Sequence, residues 1–265
     1  MTHPISTERE LAGRVAFVVG GSSGIGWHAA VLLARRGARV AIVADRDVEA
    51  AVARAAEAGV ELMGVGGDAS NYAFMAEAAA RVGARLGRIT IAVNSVAIHP
   101  YANAGDTTEA VWDRVMAVNV KSVFLTAHHT IPQMLAAGGG AIVNVSSIQA
   151  TACQRDVSAY TTSKAAILGF TRSLAVDYTG RGIRANAVSP GAIRTPLLDL
   201  SVAKFGGGRP AEEVFADWGR GMPAGRIGEP GEVAEMIAFL AGPRASYCSG
   251  GEYVVDGATV VKSGV

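Results

Sequence analysis

Residues 14–36 read RVAFVVGGSSGIGWHAAVLLARR. The run 14–19 is rich in β-branched residues and reads as a buried strand. GGSSGIG then fills 20–26, and an apolar helical stretch continues to about Arg36. The order is strand, glycine turn, helix. Gly20, Gly24 and Gly26 follow the spacing G-x-x-x-G-x-G, with Ser22, Ser23 and Ile25 between them. Glycines let the backbone turn sharply, let a pyrophosphate approach the main chain and let the helix pack close to the strand. The helix N-terminus offers free N–H groups and a positive dipole to phosphates. A glycine turn also serves as a plain connection, so the rest of the chain has to decide.

The alternation continues. Residues 40–44 form a second apolar strand that ends in Asp45, about twenty residues past the glycine turn. A carboxylate at that place accepts hydrogen bonds from adenosine ribose hydroxyls and repels a 2′-phosphate. Two other readings stay open. Asp45 or Asp47 can cap the helix that begins at 47, and Arg46 can accept a 2′-phosphate. Further strands are expected at 61–65, 89–93, 141–145, 183–188 and 252–256. Helices are expected at 71–86, 110–137, 157–178 and 231–241, with Pro132 interrupting or kinking the second of these. Strands alternating with long helices predict a parallel sheet covered on both faces. No Pro/Ser-rich linker divides the chain, so 1–265 is expected to form one doubly wound α/β domain.

One interval breaks the alternation. Residues 196–228 are glycine-rich near Phe205 and carry Trp218 and Met222. A long insertion after a strand end lies where ligands sit in such sheets. It reads as a lid over substrate, with a plain surface excursion as the alternative.

Composition narrows the function class. Half of the residues are hydrophobic, enough for a sizeable core, and the 24 basic and 23 acidic side chains nearly cancel. No basic face points to nucleic acid or to an anionic membrane surface. No apolar run reaches membrane-spanning length, and the polar N-terminus has no signal-peptide core. The expectation is a soluble cytoplasmic protein. Cys153 and Cys248 lack metal-ligand spacing and read as a pair of buried free thiols; a disulfide between them stays open. No metal site is expected.

Residues 144–164, NVSSIQATACQRDVSAYTTSK, carry the chemistry. Tyr160 and Lys164 stand four residues apart, on one face of a helix and about 6 Å along its axis. A free tyrosine has a pKa near 10 and is a poor base. A neighbouring ammonium favours the phenolate and is expected to pull that pKa down. Ser147 follows the apolar strand, so its hydroxyl and the phenol can converge on one substrate oxygen.

Taken in order, these segments closely resemble the short-chain dehydrogenase/reductase family over essentially the whole chain. The motifs are GGSSGIG, Asp68 after the third strand, Asn94 after the fourth, Asn119 in the long helix, Ser147, YTTSK, NAVSPGAIRT and the closing RIGEPGEVAEMIAFL with SGGEYVVDG. The resemblance implies a Rossmann fold and a homotetramer packed through 108–137 and 157–178. It implies that Tyr160 is the catalytic acid/base, that Ser147 stabilises charge on the reacting oxygen, and that Lys164 lowers the tyrosine pKa and binds nicotinamide ribose. Asn119 would hold a proton-relay water. Asp68 and Ala69 would contact adenine, and Asn94 would brace the sheet. Pro190, Gly191, Ile193 and Thr195 would seat the nicotinamide end.

Three departures stand out. Val19 replaces a common Thr before the first glycine. Asn94-Ser95-Val96-Ala97 replaces NNAG. Asp45 stands one residue later than the usual acid. NAD is the expected cofactor on the strength of Asp45, with NADP left open by Arg46. The expected reaction is hydride transfer between NAD(H) and a secondary alcohol or ketone, with a sugar, polyol or hydroxy acid as the candidate substrate class. The alternatives are an NADPH-dependent ketone or 3-ketoacyl reductase and a dinucleotide-binding protein without turnover. The substrate pocket is expected to draw on Ile148, Gln149, Cys153, Gln154, Ala192 and 196–228, with Gln149, Gln154 and His99 as hydroxyl binders. His128 and His129 read as structural.

Overall fold

The computed structural model of this chain describes residues 9–262; residues 1–8 and 263–265, included in the single-domain expectation, lie outside the described residues. The elements are β1 (Val15–Val19), α1 (Gly24–Arg35), β2 (Arg39–Ala44), α2 (Val48–Glu57), β3 (Leu62–Gly66) and α3 (Tyr72–Leu86). Then come β4 (Ile91–Asn94), α4 (Glu109–Met116), α5 (Ser122–Ala136), β5 (Gly140–Val145) and α6 (Ser158–Tyr178). The chain closes with β6 (Ile183–Pro190), α7 (Pro196–Phe205), α8 (Ala211–Arg220), α9 (Pro230–Ala241) and β7 (Glu252–Val255).

Among the described residues the seven strands are all parallel, in the order β3-β2-β1-β4-β5-β6-β7. Side chains alternate along each strand, and both faces are dry. Ala16 and Val18 of β1 pack with α1 and α9, while Val15, Phe17 and Val19 pack with α3 and α5. This is the doubly wound sheet that the alternation of strands and helices predicts. The chain moves outward from β1 to β3, then restarts at β4 on the other side. The strand order therefore reverses between β1 and β4, and a crevice opens there beyond the carboxyl ends of the strands.

Two glycines permit that crevice. Gly20 has a positive φ of 77°, and a Cβ on it would lie 2.5 Å from the Val96 backbone nitrogen. A Cβ on Gly26 would lie 2.1 Å from the Gly20 carbonyl oxygen. The turn after β1, the start of α1 and the segment after β4 thus touch backbone to backbone.

Two expectations need correction and one gains detail. Pro132 does not interrupt the long helix, because α5 runs on to Ala136. Ile131 and Met134 are buried against the sheet, and that packing holds the turn despite the missing N–H. The irregularity lies earlier, in a π-helical turn at Ala117–Lys121 that separates α4 from α5. Second, 196–228 is mostly helical, consisting of α7 and α8 joined by a glycine turn. Third, Cys153 is exposed and Cys248 half-buried, both free, because the segment after β5 lies at the crevice rather than in the core.

Gly26→Ala should cost about 2 kcal/mol from overpacking, lowering the melting temperature by about 4–8 °C for a chain of this size. Thermal unfolding checks this; an unchanged melting temperature would show that α1 does not depend on the close approach.

Candidate active site

A cavity of about 930 Å³ lies over the crevice. Its walls come from the segments that follow successive strands: Gly20 after β1, Asp45 after β2, Gly67 after β3, Ser95 after β4, Ser146 after β5 and Gly191 after β6. The helices α7 and α8 cover one side with Leu197, Leu200, Phe205 and Trp218, and Met222 joins them from the turn after α8.

At the glycine turn, Gly20, Ser22, Ser23, Gly24 and Ile25 line the cavity. Ser23 caps α1 without a side-chain hydrogen bond, so the first-turn N–H groups have no side-chain partner there. The turn is pinned from behind. Arg54 Nη2 donates to the Ser22 carbonyl at 2.6 Å, and its guanidinium lies 4.9 Å above the Trp27 ring. Trp27 Nε1 in turn donates to the Ala51 carbonyl at 3.1 Å.

Asp45 and Arg46 stand at the end of β2, both well exposed, with Arg46 Nε 3.7 Å from Asp45 Oδ1. Asp47 occupies the N-cap of α2 with a φ of 56° and makes no side-chain cap bond. Asp68 lines the cavity with Ala69, but its carboxylate is already engaged. Oδ1 accepts from the Ser70 amide at 2.8 Å, and Oδ2 from Arg114 Nη1 at 3.3 Å. Burial pushes the Asp68 pKa up, but the Ser70 and Arg114 hydrogen bonds outweigh it and leave the pKa below the usual value.

The end of strand β5 and helix α6 place Ser147, Tyr160 and Lys164. Tyr160 and Lys164 are 6% and 2% exposed. Lys164 Nζ donates to the Val145 carbonyl at 2.9 Å and lies 5.5 Å from the Tyr160 ring centre. Ser146 Oγ donates to the Lys164 carbonyl at 2.8 Å. Ser147 Oγ accepts from the Gln149 amide at 3.1 Å, which leaves its own proton to donate towards the Tyr160 oxygen. The expected fall in the tyrosine pKa does not occur in the chain alone. Burial pushes the phenol up to about 12, the Ser147 hydroxyl pulls it down, and Tyr101 adds a smaller upward push. Burial also lowers Lys164 to about 8. Desolvation therefore outweighs the neighbouring ammonium, and the phenol is protonated at neutral pH.

Two expected site residues stand behind the wall rather than in it. Asn119 is fully buried. Its Oδ1 accepts from the Ile98 amide at 2.8 Å, and its Nδ2 donates to the Ile98 carbonyl and to Ser163 Oγ, both at 3.0 Å. Both amide protons are engaged, so the side chain works as a clamp between the segment after β4 and α6. Asn94 Nδ2 donates to Asn144 Oδ1 at 2.7 Å, and Asn144 Nδ2 to Thr171 Oγ1 at 2.9 Å, joining β4 and β5 to α6. Pro190, Gly191, Ile193, Thr195, Gln149 and Gln154 all line the cavity; Gly26 serves close packing.

Sequence reasoning missed the stack beside the phenol. The His99 ring lies 4.0 Å from that of Tyr160 at 32°, and 4.6 Å from Tyr101. Tyr101 meets Phe205 of α7 edge-on at 5.0 Å, and its hydroxyl hydrogen-bonds Ser201 of the same helix. The run IHPY after β4 held the signal, as aromatic residues in a strand-end segment, but nothing local ties it to residue 160. Arg54, Trp27 and Arg114 had no such signal.

Residues 19–258 match the family model described as enoyl-(acyl carrier protein) reductase. A cis-4-hydroxycyclohexanecarboxylate dehydrogenase of Sinomonas cyclohexanicum is 41% identical, across 93% of this chain and 96% of that protein. A cyclohexanol dehydrogenase of Acinetobacter sp. (strain SE19) is 37% identical across 94% and 96%. The ligand-free aldohexose dehydrogenase of Thermoplasma acidophilum superposes with a TM-score of 0.89 at 31% identity, covering 97% of this chain and 98% of that one.

Burial, with Lys164 second, lowers the His99 pKa to about 4. In the unfolded chain it titrates near 6.5. As pH falls from 6.5 towards 4, the unfolded chain takes up a proton that the folded chain refuses, so stability is lost over that window and is fully present above it. The shift corresponds to at most about 3 kcal/mol. His99→Phe should flatten the difference in denaturation free energy between pH 7 and about 4.5 relative to the parent chain. Identical pH dependence in both would refute a neutral buried His99.

Proposed function

The chain belongs to the short-chain dehydrogenase/reductase family, and from that membership we propose that it oxidises a secondary alcohol of cyclohexanol-like size, or reduces the corresponding ketone, with NAD(H). It is an NAD(P)-dependent oxidoreductase acting on CH–OH groups. The observation that carries the finer reading is the meeting of Tyr160, Ser147 and Lys164 with the glycine turn in one cavity. The residues present fit a dinucleotide. Gly20 leaves no room for a Cβ, and the start of α1 has no side-chain cap. Asp45 presents an exposed carboxylate at the end of β2.

The bound nicotinamide would supply the hydride acceptor in oxidation and the donor in reduction. The chain's own residues hold the oxygen and move the proton. In reduction Tyr160 gives its proton to the carbonyl oxygen; in oxidation the phenolate takes the proton of the alcohol. Ser147 donates its proton to the same oxygen and stabilises the charge that develops there. Lys164 has one proton on Val145 and two left for ribose hydroxyls. Pro190, Gly191, Ile193 and Thr195 would hold the nicotinamide end, and Asp68 with Ala69 the adenine.

Apolar walls from Leu197, Leu200, Phe205, Trp218 and Met222 favour an alicyclic body over a fully hydroxylated chain. The named activities of the two cyclohexane-ring relatives agree with this choice. A sugar or polyol is the second reading, favoured by Gln149, Gln154 and the aldohexose relative. An NADPH-dependent ketone or 3-ketoacyl reductase is favoured by Arg46 and by the displacement of Asp45 from the usual position of the acid. Among the described residues no helix is long and apolar enough to cross a membrane. Phe124 on α5 and Val176 on α6, 45% and 85% exposed, support self-association through those helices into a tetramer.

Tyr160→Phe should lower kcat/KM for cyclohexanol oxidation by about 10²–10⁴ while leaving the melting temperature within about 3 °C; retention of a third of the activity would sink the assignment of Tyr160. The parent chain should bind NAD more tightly than NADP, and Asp45→Ser should erase most of that preference, a change of about 1 kcal/mol or several-fold in Kd. Tighter binding of NADP to the parent chain would instead favour Arg46 as the deciding group.

A further inference from the structure

His99 has no task in the mechanism above, yet it occupies the wall of the site. It is 9% exposed, it lines the cavity, and its Nε2 atom is buried without a hydrogen-bond partner. Buried polar atoms are almost always paired, so an orphan in a cavity wall marks a place where the ligand supplies the partner. The ring lies 4.0 Å from that of Tyr160, tilted by 32°, which sets the imidazole beside the phenol that holds the reacting oxygen. A neutral imidazole carries one N–H and one lone pair and can both give a proton to a hydroxyl and take one from it. The surroundings favour that neutral form, since burial and the Lys164 ammonium both oppose protonation.

A second orphan stands in the same cavity. Gln149 Oε1 is buried and unpartnered, and Gln149 lines the wall next to Ser147. The far wall is apolar, formed by Leu197, Leu200 and Trp218. The reacting end thus presents more polar capacity than one alcohol oxygen can satisfy, while the other end accepts a hydrocarbon body.

We infer that His99 is a specificity-determining residue that binds a second substrate oxygen, on the carbon next to the reacting one, and that the preferred substrates are cyclic vicinal diols or the matching hydroxyketones. This rests on the reading of Tyr160 as the group that holds the reacting oxygen. It differs from that reading in predicting discrimination between two alcohols of the same ring.

The test compares cyclohexanol with trans- and cis-cyclohexane-1,2-diol, using the full chain with NAD bound. In the parent protein one diol isomer should show the higher kcat/KM. His99→Phe keeps an aromatic ring against Tyr160 and removes both nitrogens. It should lower kcat/KM for that diol at least about tenfold and change cyclohexanol by less than about threefold. His99→Gln, which restores a donor and an acceptor, should recover part of the diol preference. Equal losses on both alcohols would overturn the inference, as would no diol preference in the parent protein. A binding measurement separates this outcome from a failure of the catalytic reading. Tyr160→Phe protein with NAD should still bind the diol more tightly than cyclohexanol, and Tyr160→Phe/His99→Phe protein should not. Absence of that difference would overturn the inference whether or not the parent protein turns either alcohol over.

Discussion

The structure depends on the way α6 is fastened to the end of β5. Lys164 reaches back to the Val145 carbonyl, Ser146 reaches forward to the Lys164 carbonyl, and Asn144 holds Thr171 two turns further along. Each of these groups is buried, so a broken bond would leave an unsatisfied polar atom in a low-dielectric interior. Strand and helix therefore move as one body. Tyr160 lies on that helix one turn before Lys164, and its hydroxyl is held in place before any ligand arrives, which is the condition for effective stabilisation of a developing charge. Asn119 extends the clamp by tying the segment after β4 to Ser163 of the same helix.

The same burial sets the electrostatics. A dry pocket penalises every charge, and the penalty falls on opposite states of acids and bases. The phenol is driven towards its neutral form and the lysine is weakened as an acid-stable cation. His99 stays neutral because burial and Lys164 act in the same direction. One positive charge is thus admitted at the reacting end, and it belongs to Lys164. Two cations within that small volume would repel each other and cost folding energy, so a neutral ring beside Tyr160 is compatible with the lysine in a way that an arginine or lysine at position 99 would not be.

What could be read from the sequence follows the range of the physics involved. Strand and helix periodicity is local, and the order of elements and the two-faced sheet were legible from it. Glycine spacing reports a backbone constraint within seven residues, so the turn at 20–26 was legible too. Tyr160, Lys164 and Ser147 were found because helix geometry and a strand end bring them together at short sequence range. The tyrosine pKa was misjudged because burial depends on elements far away in sequence, which a pair of residues does not reveal. The bonds of Asn119 to Ile98 and Ser163 were not legible, since they cross three elements. The stack through His99 and Tyr101 joins positions 99, 101, 160 and 205, and no periodic pattern links them.

That stack gives α7 and α8 a physical meaning that a surface excursion would lack. Leu200 and Phe205 are both about half exposed, although apolar residues of that size usually find cover. They are not needed by the core, which is complete on both faces of the sheet. They face the cavity instead, and α7 is attached to the site through Ser201 and Phe205 on Tyr101. Contact passes from Phe205 through Tyr101 and His99 to the Tyr160 ring, so the position of α7 and that of the phenol are linked by one continuous row of side chains.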